Sequence, residues 1–304
     1  MIPGVLRGSL LAVLGLFIGA SPARAQEVVK RVGQVTFRAD LKTAFPGGLI
    51  VAHLQARGSL GSAFAILDGR RVPFFPAAAG RGLRALVPIP VGTPSGPRAL
   101  GVEIIARRGR QRVPLQVSIG ERAYPGRTIV LPAVQRGLQL LPASVRDGRR
   151  LLLALRSGSS GASPSLLLSP LAAAPAMGFG GAESFVGTAP FESVVDSIFG
   201  EYHRGLDYAV PVGTPFSAPA SGTVSLAAPL RLSGQTLVID HGQGVASAFY
   251  HLSRIDVMEG QLVESQQSLG LSGESGVAQA PHLHWGVYVH GVAVDPLVAM
   301  QVLE

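Results

Sequence analysis

Two histidines stand two positions apart in the run Ala280-Pro281-His282-Leu283-His284-Trp285-Gly286-Val287. The run reads as a β-strand, and side chains at i and i+2 of a strand share a face. Two imidazoles on one buried face are costly unless something uses them, and imidazole is the commonest metal ligand. Well upstream stands His203-Arg204-Gly205-Leu206-Asp207, a histidine and a carboxylate three residues apart from one another in the intervening count. Between the two lies Tyr250-His251-Leu252, inside another apolar run. His203, Asp207, His251, His282 and His284 could converge on one ion. Zinc accepts His nitrogen and Asp oxygen, and a catalytic zinc site uses three protein ligands plus water. Spacing leaves open which of His282 and His284 would ligate. The other would stay free beside the bound water, where an unligated histidine acts as general base or stabilises developing charge. Bound zinc lowers the pKa of its water to about 7, which yields hydroxide at neutral pH. The alternative is a set of unrelated histidines in a β domain, and the pattern is not the helical H-E-x-x-H.

Short β-runs must position these groups. Beyond Phe191 the pattern is almost entirely β: Thr214–Ala218, Gly222–Leu226, Thr236–His241, Ala246–His251, Leu262–Ser265, Gly270–Leu271 and Leu283–Val289. Glycines punctuate the runs, as expected of turns in a compact, mostly antiparallel assembly. Gly205 argues against a helix over 203–207, so a loop or strand start must bring His203 and Asp207 together.

Residues 26–125 show further short runs: Gly33–Arg38, Leu49–Gln55, Ala63–Leu67, Arg71–Phe75, Ala85–Pro90, Ala99–Ala106 and Arg112–Ile119. Asp68-Gly69 is a two-residue hairpin signal. Val113, Leu115, Val117 and Ile119 alternate with polar residues, which puts them on one face. This predicts a β-sandwich of immunoglobulin-like size. Residues 126–190 form a connecting segment. Ile129–Leu138 reads as a strand running into a short helix that Val145–Leu155 continues. Residues 157–190, rich in Gly, Ser, Ala and Pro, read as a flexible linker that can drape over the second domain.

Arg7, the apolar stretch Leu10–Ala20 and Ala23-Arg24-Ala25 spell a secretory signal peptide over residues 1–25, too short to span a bilayer. No other segment is apolar enough to cross, so no transmembrane segment is expected in the mature chain. The chain has no cysteine, which excludes disulfides. An exported protein without disulfides must be held by its core or by a metal. The expected location is the periplasm, the extracellular space or the cell wall. Charge is uneven: residues 26–200 carry 21 basic and nine acidic side chains, whereas residues 201–304 carry three and nine. A basic exported domain suits an anionic envelope polymer, and no nucleic-acid partner is expected.

Residues 199–297 resemble the lysostaphin-type, or LytM-type, zinc endopeptidases, family 23 of the metallopeptidases. The matching residues are Phe199-Gly200, His203-x-x-x-Asp207, Pro211-x-Gly213-Thr214-Pro215, Ala218-Pro219-x-x-Gly222-x-Val224, Asp240-His241-Gly242, Tyr250-His251-Leu252, Gly260-x-x-Val263, Pro281-His282-Leu283-His284 and Asp295-Pro296. The resemblance implies a small antiparallel β fold with the site in a groove. It implies one zinc held by His203, Asp207 and His284, with His251 and His282 as the catalytic pair. It implies an endopeptidase acting on cross-links or stem peptides of bacterial peptidoglycan. Three departures bear on groove shape: Ala280 in place of a glycine, Gly286 in place of an acidic residue, and a short Gly200–His203 segment.

Other residues carry smaller expectations. Arg204 and Tyr250 border the site and could touch substrate carboxylates. His241 reads as structural, His290 as exposed, His53 as satisfied or on the surface, and Trp285 as core. The competing function is a non-catalytic wall-binding or regulatory module that keeps the peptidase fold, with a zinc-stabilised scaffold as a third. The five intact positions favour the enzyme.

Overall fold

The computed structural model describes residues 26–56, 61–77, 82–106, 109–130, 138, 141–156, 158, 166–186, 200 and 202–303. The expected signal peptide, the linker residues 159–165 and the expected domain start near Phe191 lie outside them.

The first half is a two-sheet sandwich. One sheet joins β1 (Glu27–Val32), β2 (Val35–Asp40), β3 (Leu49–Ala56), β6 (Phe75–Pro76) and β7 (Leu83–Pro88) in the order β1-β2-β3-β7-β6. The other joins β4 (Ser62–Leu67), β5 (Arg70–Pro73), β8 (Gly96–Ala106) and β9 (Gly109–Ile119) in the order β5-β4-β8-β9. Asp68 and Gly69 turn the β4–β5 hairpin, both with positive φ, at 48° and 78°. That is the backbone that a two-residue hairpin with right-handed strand twist demands. The alternation in β9 holds, with Val113, Leu115, Val117 and Ile119 buried against Phe37, Ile50, Leu54 and Val102.

The second half is built on an antiparallel sheet. Its path runs β12 (Leu206–Tyr208), β20 (Leu283–Val289), β16 (Val245–Leu252), β15 (Gly234–Gly242), β14 (Gly222–Leu230) and β18 (Leu262–Val263), with β21 (Val292–Val294) on β20. A small second sheet joins β13 (Pro215–Ser217), β19 (Ser268–Leu271) and β17 (Arg254–Ile255). Phe216, Leu237, Phe249, Leu269 and Trp285 fill the space between them. Trp285 is fully buried, as its place opposite the histidine face of β20 requires.

The connecting segment is more ordered than its composition suggests. Helix α1 (Pro142–Arg156) buries Val145, Gly148, Leu151, Ala154 and Leu155, at the three- and four-residue spacing of one helical face. Leu151, Ala154 and Leu155 of that stripe cover the outer face of the large sheet, against Leu226, Val238, Ala246 and Tyr288, while Val145 packs on Leu232. Strands β10 (Arg127–Val130) and β11 (Glu183–Val186) pair in parallel, with Arg127 opposite Glu183. Residues 168–181 are bonded to the second half through Leu168 N to Pro219 O, Ala176 N to Asp207 O and His203 N to Gly181 O. The draping over the second domain is therefore real. It is made by main-chain hydrogen bonds, which side-chain composition does not announce.

The halves share a core. Leu49 and Leu86 of the sandwich pack in the same cluster as Val294, Ala299 and Leu303 at the C-terminus. Asp295 caps the short helix α2 (Pro296–Val302) and receives a 2.6 Å bond from Arg122, while its N–H donates to Gly47. His290 is not exposed as expected. Its ring stacks on Phe75 across this boundary, and burial followed by the nearby Arg70 charge pushes its pKa down to about 4.

Candidate metal centre

Strand pairing assembles the centre. In the β12–β20 register Asp207 lies opposite His284, and in the β16–β20 register Tyr250 lies opposite His284 from the other side. His203 sits just before β12, held by the connecting segment through the Gly180 and Gly181 main chain. Gly205 makes this approach possible. A Cβ there would lie 2.5 Å from the Trp285 carbonyl oxygen and 2.6 Å from His284 Nε2.

Three donor atoms converge. His203 Nε2 is 3.0 Å from Asp207 Oδ1, His284 Nδ1 is 2.8 Å from the same oxygen, and the two nitrogens are 3.3 Å apart. All three residues are buried, at 5%, 9% and 7% exposure. Ligands at zinc bond lengths in a tetrahedron stand about 3.4 Å apart, close to this triangle. The tautomers point the same way. His203 Nδ1–H donates to the Gly178 carbonyl at 2.7 Å, so a neutral ring turns the Nε2 lone pair toward a carboxylate oxygen. Lone pairs facing each other in a buried pocket call for a cation between them. The donor set fits zinc. Among the described residues this is the one cluster with metal-holding geometry.

The electrostatics of this trio follow from burial and contact. Where a proton on the His203 or His284 ring takes the place of the cation, burial alone would raise the Asp207 carboxyl, but the hydrogen bonds these rings then donate reverse this and hold it well below the usual range. Burial opposes protonation of His203, and its bond to Asp207 outweighs that and raises it. His284 is lowered, chiefly by burial.

Two further imidazoles face the trio. His251 Nδ1–H donates to the Ser275 carbonyl at 2.8 Å, and His282 Nδ1–H to the Ala280 carbonyl at 2.8 Å. Both rings therefore keep Nε2 as a free lone pair. His282 Nε2 stands 3.8 Å from Asp207 Oδ1, and the His251 and His282 rings lie 4.8 Å apart. His251 has φ of +62°, an uncommon backbone for a residue other than glycine. Its N–H to Ser233 and its carbonyl contact with the Ser275 N–H enforce it. Such local strain clusters at functional sites. Burial, then the neighbouring His282 and His284, pushes the His251 pKa down to about 3, so it is neutral at neutral pH.

All five residues singled out for chemistry thus meet in one place. Tyr250 is buried, its ring stacked on His284 at 4.9 Å and its hydroxyl 3.2 Å from that of Tyr288. Arg204 donates to the Gly200 carbonyl at 2.7 Å. Gly286 has a local reason: a Cβ would come within 2.9 Å of the Arg204 carbonyl and of the Tyr288 ring. His241 is structural, bonded to the Ser221 carbonyl and to Ser247. Sequence reasoning did not find Gly178, Ser275, Arg127 or Glu183. The first two act through carbonyls, which every residue has. Arg127 and Glu183 sit in the segment read as a connection, and only their register reveals them.

Comparison with known proteins places this geometry in context. The model of Peptidase family M23 matches residues 201–296. A crystal structure assigned to peptidase M23, from Pseudomonas aeruginosa, superposes with a TM-score of 0.60 at 30% identity, covering 86% of this chain and 96% of that one. Peptidoglycan DD-endopeptidase ShyA of Vibrio cholerae serotype O1 is 38% identical over 97 residues, 32% of this chain and 23% of its own. An uncharacterized metalloprotease of Haemophilus influenzae is 38% identical over 96 residues, 31% of this chain and 20% of its own. The chain thus spans about a fifth to a quarter of the length of these curated relatives.

Proposed function

This chain belongs to peptidase family M23, and on that premise we propose that it is a zinc-dependent endopeptidase that hydrolyses peptide bonds in bacterial peptidoglycan. The observation that carries the reading is the convergence of His203, Asp207 and His284 with two imidazoles that keep Nε2 free. The curated relatives named as peptidoglycan DD-endopeptidases support the substrate class. His203 Nε2, Asp207 Oδ1 and His284 Nδ1 would hold the ion. When bound, zinc supplies a polarised carbonyl and a water acidified to about pKa 7.

The chain's own side chains do the rest. The Ser275 and Ala280 carbonyls fix His251 and His282 in the tautomer that accepts a proton at Nε2. One of the pair takes the proton from the attacking water as the C–O bond forms. A proton returns to the departing amine as the C–N bond breaks. The low pKa of His251 keeps its ring uncharged at neutral pH, and the more open His282 stands nearer the ligand carboxylate. A non-catalytic module would need none of this arrangement.

Location and further partners belong to the same proposal. The signal-like leader and the wall substrate support export to the periplasm or cell wall. No helix among the described residues is long and apolar enough to cross a membrane. The basic sandwich would attract an anionic envelope polymer, with Arg71, Arg110 and Arg112 gathered around the single carboxylate of Glu103 on one face.

The deciding experiment incubates the purified chain with peptidoglycan sacculi and separates the released fragments by chromatography. Chelation should stop release of peptide-cleaved fragments, and added zinc should restore it. Intact cross-links and stem peptides after incubation of the zinc-loaded protein would end the reading.

A further inference from the structure

The chemistry of the trio extends outside the segment that matches the family. Asp207 presents Oδ1 to His203 and His284, and its other oxygen, Oδ2, stands 3.8 Å from Arg127 Nη2. Arg127 is itself fixed. Its N–H donates to the Ala182 carbonyl at 2.7 Å, and its Nε and Nη2 both donate to Glu183 Oε1, the former at 2.8 Å. The Glu183 side chain is 8% exposed and the Arg127 side chain 31%. Parallel pairing of β10 with β11 sets the two residues opposite each other. A cation and an anion, neutral as a pair, are thus seated against the outer oxygen of a candidate metal ligand.

We propose that Arg127, held in place by Glu183, is a positioning residue that acts on the metal through Asp207 Oδ2, its charge setting how much negative charge Asp207 offers the ion. The inference rests on the zinc reading above and adds residues from the connecting segment to the centre. Ligating carboxylates are themselves held by outer partners, and changing those partners typically alters metal affinity or activity by about 10- to 100-fold. Here the partner carries charge, so the sign of the change is informative. Unpaired charges act strongly in a partly buried site, because Coulomb interactions grow as the dielectric falls.

The test measures zinc dissociation constants of the metal-free full chain by competition with a chromophoric chelator. Arg127→Gln removes the cation and leaves the Glu183 carboxylate uncompensated, so zinc should bind about tenfold or more tighter. Glu183→Gln leaves the cation uncompensated, so zinc should bind about tenfold or more weaker. The double variant, Arg127→Gln with Glu183→Gln, restores neutrality and should return to within about threefold of wild type. A purely structural pair would weaken binding in both single variants and most in the double, and that result overturns the proposal. So does unchanged affinity in all three. Should Arg127→Gln fail to fold, as judged by thermal unfolding of the metal-free protein, the Glu183→Gln and double variants decide by the same criteria. If wild-type protein takes up no zinc, the underlying reading fails; if it binds zinc and the variants show no opposed shifts, only the role of Arg127 fails.

Discussion

Gly205→Ala should disable the metal centre while replacing none of the five chemical side chains. The added methyl would sit 2.5 Å from the Trp285 carbonyl oxygen, 2.6 Å from His284 Nε2 and 2.8 Å from its Cε1. The Trp285 carbonyl belongs to a strand paired on both sides, so it cannot yield cheaply. The His284 ring is held between Tyr250 and Asp207, and moving it displaces Nδ1 from the other donors. Relief of the contact needs a shift approaching about 1 Å, and misplacement on that scale can cost about 10²-fold in rate. Overpacking of this kind costs typically about 1–3 kcal/mol of stability. The assay combines zinc per chain by atomic spectroscopy, the rate of fragment release from sacculi and thermal unfolding. Gly101→Ala serves as the control, because its Cβ would meet only ordinary contacts at 3.7 Å or more. Wild-type zinc content and rate in Gly205→Ala would refute the claim that this glycine sets the approach of β12 to β20.

Other expectations follow from the same geometry. His203→Ala or Asp207→Ala should abolish stoichiometric zinc, read by metal analysis after dialysis. His251→Ala and His282→Ala should keep zinc and lose about 10²- to 10⁴-fold in rate, the usual worth of a general acid–base group; loss of zinc in either would overturn the division of roles. Arg122→Ala leaves the buried Asp295 carboxylate without its 2.6 Å partner and should cost about 3–5 kcal/mol in denaturant titrations. His290 binds its proton more weakly folded, at about pKa 4, than unfolded, near its ordinary value of 6.5. Its contribution is therefore complete above about pH 6.5 and is lost as pH falls to about 4, by up to about 3 kcal/mol. His290→Phe should flatten that part of the stability profile, and an unchanged profile would count against it.

The site was legible in the sequence because its chemistry lies in side chains of distinctive type. His282 and His284 declare themselves by strand alternation, and Asp68-Gly69 declares the hairpin by its backbone need. Helix α1 was harder, since its stripe of Leu151, Ala154 and Leu155 is short and gains its meaning only against the sheet it covers. Residues 166–186 were hidden for a different reason. Their Gly, Ser and Pro content is that of a linker, while their order comes from backbone bonds to residues such as Asp207 and Pro219. The Gly178 carbonyl on His203 leaves no trace in residue identity. His290 was misplaced because the partner ring, Phe75, lies far away in the chain.

The contact between Arg122 and Asp295 joins positions 173 residues apart. It has a consequence for biosynthesis. A ribosome releases the sandwich long before it releases β21 and α2, yet Leu49 and Leu86 share a core cluster with residues of that stretch, Val294, Ala299 and Leu303. Until that stretch emerges, the nascent chain would carry these apolar side chains with part of their cluster missing, on a part that already has strands to fold. Long-range closure of this sort is slow, and uncovered patches are where partly made chains associate. Ribosome-stalled chains ending before Asp295 should therefore bind hydrophobic dyes and chaperones more than full-length chains do. Translation speed over the codons for β21 and α2 would then influence yield.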